Sequence, residues 1–141
     1  MEDLKVGDVV YHGGDIYSRN LVVTQLIKGE GQKIGVCFFE QQSDLMVLRV
    51  FSAGALFKQA EESSSYECLS TVDEKQLIGK PIYLKGSKRK LTLLEVSASG
   101  VVSAVYLSKS DMNEYSVKLP KKCFCVEKEN KEFFEGFYKE S

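Results

Sequence analysis

"KVGDVVYHGG", residues 5–14, is followed about seventy residues later by a near echo, "IGKPIYLKGS", residues 78–87. The segments downstream of each opening also match in order. After the first come "NLVVTQLI", a Gly-rich turn "KGEGQ", "KIGVCFFE", a polar turn "QQSD", "LMVLRVF" and the short "SAGALF". After the second, "LTLLEV" falls opposite "LVVTQL", and Val102, Ala104 and Tyr106 fall opposite Ile34, Val36 and Phe38. Phe51 then falls opposite Leu119, and "SAGAL" opposite "PKKCF". Each apolar run is short, rich in β-branched residues and bounded by Gly, Ser, Asn or Asp, which is the pattern of strands joined by tight turns. The chain reads as all-β and as two copies of one unit.

A short open sheet leaves exposed edges, and a unit of five short strands removes them by bending into a small barrel. "SAGAL" and "PKKCF" then serve as single 3₁₀ turns before the last strand. Val6-Gly7-Asp8-Val9-Val10, Val23 to Leu26, Val36-Cys37-Phe38-Phe39 and Phe51 to Leu56 carry a resemblance. The pattern is similar to a bacterial family of small SH3-like barrel proteins with V-G-D-x-V openings and, more distantly, to KOW and Tudor barrels. The resemblance implies tandem SH3-like barrels and no established activity. It is stronger in the first copy, since the second has Lys80-Pro81 in place of the "DV" of the opening, and the family's usual Trp is Phe38 here. The expected organisation is a first barrel over residues 1–58, a linker over 59–77 and a second barrel over 78–127. A C-terminal aromatic tail, or short helix, occupies 128–141 with Phe133, Phe134, Phe137 and Tyr138 on one side.

Hydrophobic residues make up 43% of the 141 residues and charged ones 28%, a globular balance. The acidic start "MEDLKVGD" lacks the charged and apolar regions of a secretory signal. No run approaches the roughly 18 apolar residues of a membrane-spanning helix. A soluble, cytoplasmic protein with no membrane partner is the expectation. In that setting Cys37, Cys68, Cys123 and Cys125 are expected to be thiols in packing positions. The C-x-C of Cys123 and Cys125, both on one side if they share a strand, has no second Cys/His pair at ligand spacing, so no metal and no cofactor are expected.

No catalytic motif is present, and an enzyme is the class least supported. His12, the one histidine, has no nucleophile or carboxylate tied to it by spacing and reads as a loop residue. Asp8 reads as a turn residue that bonds to nearby backbone amides. Charge is more informative than motif. Residues 78–125 carry nine Lys and Arg against three Asp and Glu, a local +6 in a chain whose net charge is −1. The densest part is "LKGSKRK", with Lys85, Lys88, Arg89 and Lys90. These four are the candidate nucleic-acid-binding residues, through phosphate contacts strengthened by counterion release. As exposed loop charges they are expected to add little to folding. Tyr11, Tyr17, Phe39, Tyr83 and Tyr106 are candidates for a Tudor-like aromatic cage around a methylated cation. The leading expectation is a non-catalytic module for protein–protein interaction or assembly, with nucleic-acid binding through the second barrel as the alternative.

Overall fold

A computed structural model describes residues 3–27, 29, 32–59, 65–69 and 74–128 of the chain. The aromatic segment proposed for the C-terminus lies outside these residues, apart from Lys128. The fold is all-β, with two antiparallel sheets. The first contains β1 (Val9–His12), β2 (Leu21–Ile27), β3 (Lys33–Phe39), β4 (Met46–Ser52) and β5 (Leu56–Lys58), in the spatial order β4-β3-β2-β1-β5. The second contains β6 (Tyr66–Cys68), β7 (Pro81–Leu84), β8 (Lys90–Val96), β9 (Val101–Leu107), β10 (Glu114–Pro120) and β11 (Phe124–Glu127), in the order β10-β9-β8-β7-β11-β6.

The outer strands β4 and β5 are joined only by the 3₁₀ turn Ala53–Ala55. Three residues at about 2 Å rise span only about 6 Å, so the two ends of the first sheet must lie close together. The sheet therefore rolls up. Lys121–Cys123 makes the same turn between β10 and β11. Rolling is assisted by a bulge that shifts register between Val23 and Gln25 in β2, and again between Leu93 and Glu95 in β8. A bulge bends its strand and increases the local twist.

The two copies match in backbone detail, well beyond their side-chain identity. Gly7 N–H donates to Val23 O at 2.8 Å, and Gly79 N–H donates to Leu93 O at 2.7 Å. Phe38 and Tyr106 occupy the same place in β3 and β9, and Phe51 and Leu119 the same place in β4 and β10. Even the non-glycine residues with positive φ recur in step: Ser18 with Lys88, and Asp44 with Met112.

The 59–77 segment and His12 differ from the sequence expectation. Part of the 59–77 segment, read as a linker, forms β6, which pairs with β11 and extends the second sheet by a strand. Leu69, just beyond it, is fully buried. A few apolar residues within an otherwise polar run are enough to dock it. His12 ends β1 rather than lying in a loop, and its Nδ1 accepts the Gly14 N–H at 2.8 Å. Asp8 does make its turn contact, accepting the Lys5 N–H at 2.9 Å.

The units share a core. Val10, Leu21, Val23, Ile34, Val36 and Leu56 fill the inside of the first barrel. Val22 and Cys37, paired across β2 and β3, lie on the opposite face and pack into the second unit with Leu84, Tyr106, Cys123 and Phe124. Cys123 Sγ donates to Val23 O at 3.5 Å across this contact. Burial pushes the Cys123 thiol up to about 12, and the same cause raises Cys37 further. Cys123 lies in the 3₁₀ turn and only Cys125 lies in a strand, so strand alternation does not align them.

The paired glycines offer an internal control. Both Gly7 (φ +94) and Gly79 (φ +83) sit in the left-handed region. A Cβ at Gly7 would lie 2.4 Å from Lys122 O, a backbone atom of the other unit, whereas no atom of the described residues lies within 4 Å at Gly79. Gly79→Ala should cost about 1 kcal/mol of conformational strain. Gly7→Ala should cost about 2–3 kcal/mol, because the inter-unit clash adds to that strain. Urea melts of the two variants measure the difference, and equal costs would mean that the units do not press together at this point.

Candidate functional site

The basic loop between β7 and β8 is shorter than its counterpart between β1 and β2. In the longer loop, Asp15 accepts the N–H groups of Tyr17 and Arg19 at 3.0 Å each and ion-pairs with Arg19 at 3.0 Å. The Arg19 hydrogen bond leads in lowering the Asp15 carboxyl to about 2. The shorter loop reaches across to the first unit. Arg89 Nε donates to Asp44 Oδ1 at 2.9 Å and Nη2 to Asp44 Oδ2 at 2.6 Å. The guanidinium also donates to the carbonyls of Leu107 and Lys90, each at 2.8 Å. The guanidinium carbon also lies 5.3 Å from the Phe39 ring centre and 5.4 Å from that of Tyr106. Arg89 is thus an internal tie between the units, not a free rim cation.

Asp44 is the other half of this tie. It stands at φ 52 in the turn after β3, a conformation that Asp tolerates better than most residues. Its Oδ2 also accepts the Lys109 N–H at 2.8 Å. Around it, the hydroxyls of Ser108 and Ser110 donate to Ser43 O at 3.0 and 2.6 Å, and the Met46 N–H donates to Tyr106 Oη at 3.0 Å. Hydrogen bonding from Arg89 holds the Asp44 carboxyl below its ordinary range.

The other basic candidates divide. Lys88 Nζ sits 4.8 Å over the Tyr66 ring and 3.9 Å from Cys125 Sγ. Lys85 is half-buried, and its N–H donates to Cys123 O at 3.0 Å. Lys90 is exposed. With Arg89 ion-paired and Lys88 over a ring, two of the four loop cations, Lys85 and Lys90, remain for phosphates. At a slope of about −0.9 per contact, two contacts give only a shallow salt dependence.

The five aromatic candidates do not converge on one cage. Tyr11 stacks on Phe57 at 5.6 Å, Tyr17 is 74% exposed with Arg19 over its ring, and Tyr83 packs edge-on against Tyr66 at 5.5 Å. Phe39 and Tyr106 do meet, at 4.9 Å, but Arg89 covers both.

A different surface is left open. β4 is an outer strand of the first sheet, and among the described residues it pairs with β3 alone. The Glu40 N–H donates to Leu45 O, which sets the ladder's phase and turns the backbone groups of Leu48 and Val50 away from β3. Their side chains are 61% and 55% exposed and share one face. The sequence does not single out either residue, since "LMVLRVF" reads there simply as one of several short apolar strands. Among the described residues no helix is long and apolar enough to cross a membrane. No protein-family model matches this chain, and no curated protein matches it.

Proposed function

We propose that the chain is a non-catalytic protein-binding module built from two SH3-like barrels, which accepts an extended segment of a partner protein alongside β4. The observation that carries this reading is the exposed pair Leu48 and Val50 on a strand whose outer edge no described strand covers. An added strand takes its affinity from main-chain hydrogen bonds and its selectivity from alternate side chains. Leu48 and Val50 supply the apolar contacts for those side chains. Arg49 Nη1 donates to Leu48 O at 2.9 Å, which partly guards the edge and keeps casual pairing in check.

Nucleic-acid binding is the second reading, favoured by the local +6 charge of residues 78–125. The engagement of Arg89 and Lys88 inside the fold makes it the weaker one. The test is affinity capture from the native cell with the intact protein and with a Leu48→Lys/Val50→Lys variant. Charge on an edge strand opposes strand addition, so the variant should lose the captured proteins by at least about tenfold while its melting curve stays near wild type. Equal capture by both would defeat the β4 reading. Retention of oligonucleotides at low salt would favour the second.

A further inference from the structure

Cys125 and Cys68 are direct cross-strand neighbours in β11 and β6. The Lys128 N–H donates to Ser65 O at 2.9 Å, which makes that pair a hydrogen-bonded one. Pair types alternate along an antiparallel ladder, so Val126 with Glu67 is hydrogen-bonded and Cys125 with Cys68 is not. The opposite edge of β11 agrees. There the Lys85 N–H donates to Cys123 O, so Cys125 directs its backbone groups toward Tyr83 and away from Cys68. Non-hydrogen-bonded pairs have Cα atoms about 4.5 Å apart and side chains on one face, inside the ~4.4–6.8 Å window that a disulfide needs. The cysteines of this ladder stand at one of the few backbone relationships that a disulfide can bridge without rearrangement.

We propose that Cys68 and Cys125 are a dithiol modification site, oxidised by a low-molecular-weight disulfide to a bond that staples β6 to β11. Exposure sets the order of events. Cys125 is 3% exposed, whereas Cys68 is only partly covered, so the small disulfide meets Cys68 first. The Cys68 thiolate attacks one sulfur of the reagent, forms a mixed disulfide and expels one thiolate. The Cys125 thiolate then attacks the Cys68 sulfur, closes the bond and releases the second thiolate. Two protons leave the protein, and its two electrons reduce the reagent to two thiols. Lys88 Nζ, 3.9 Å from Cys125 Sγ, is placed to offset the charge of the resolving thiolate. Burial raises the Cys125 thiol, while Lys88 and Lys85 pull the other way. Cys37 and Cys123 are fully buried at the unit interface and closed to such a reagent.

The test exposes the folded chain to oxidised glutathione at mildly alkaline pH, then unfolds it, alkylates the remaining thiols and weighs it. Wild type should lose two hydrogens, retain two alkylatable thiols, carry no glutathione and yield one linked peptide joining Cys68 to Cys125. Dithiothreitol should restore four thiols. Cys68→Ser should form no internal bond. Cys125→Ser should stop at the first step, with glutathione held on Cys68. Four surviving thiols in wild type, a lasting adduct on it, or a bond joining any other pair would overturn the proposal. Cys68 is not a core residue, so its variant keeps the test usable even if Cys125→Ser folds poorly.

Discussion

Phe124→Ala should lower the stability of the whole chain by about 3–5 kcal/mol, the usual cost of deleting a buried aromatic ring. Phe124 is the largest of the fully buried side chains and opens β11 opposite Leu84. Its surroundings include Val22 and Cys37 of the first unit, so the cavity would open in a core that both units share. Total stabilities run at about 5–15 kcal/mol, so a loss of this size is a large fraction. Sharing also predicts cooperativity. Far-UV circular dichroism and tyrosine fluorescence should follow one urea transition in wild type, and in Phe124→Ala that single transition should move to lower urea. Leu56→Ala, at the equivalent position of the first unit, should shift the same transition. Two separate steps, with the first unit's unchanged by Phe124→Ala, would mean that the barrels fold independently.

The repeat was legible because barrel geometry constrains spacing. The "VG" and "IG" openings mark the same left-handed glycine, and the short runs before "SAGAL" and "PKKCF" mark the same 3₁₀ turn. The outward face of β2 and β3 was not legible. "LVV" and "IGVC" invite a period-two reading with one face in the core, yet Val22 and Cys37 are as buried as Val23 and Val36 because a second unit covers the other face. A strand buried on both sides reads as a continuous apolar run, and the length of such a run does not say what covers it. The role of Arg89 is hidden in the sequence for a related reason. Charge density identified the basic loop, but Asp44 lies far away in sequence, in the polar turn "QQSD", and only folding brings the two together. The edge at β4 was hidden as well, since "LMVLRVF" matches a core strand in composition and its exposure depends on strand order.

Arg89→Ala should cost about 3 kcal/mol, which separates a structural tie from a surface charge. Removing one partner of a buried ion pair costs about 3–5 kcal/mol, because the other is left buried and uncompensated. The side chains of Arg89 and Asp44 are 16% and 13% exposed, which places the cost toward the low end of that range. Alanine also removes the cation over Phe39 and Tyr106. Lys90→Ala, in contrast, should change stability by less than about 0.5 kcal/mol, as an exposed side chain. Asp44→Ala should resemble Arg89→Ala, and the double variant should cost less than the sum by about 1–3 kcal/mol, since the two residues share one interaction. Acid provides an independent reading. The folded-state pKa of Asp44 lies below its unfolded value, so its contribution is present above about pH 4 and is lost as pH falls through the folded value. Arg89 stays charged throughout. Wild type should therefore lose stability below about pH 4 more steeply than Asp44→Asn, which has no such carboxylate to protonate. Chemical denaturation at a series of pH values measures both slopes, and parallel slopes would remove the Asp44–Arg89 pair from the forces that hold the two units together.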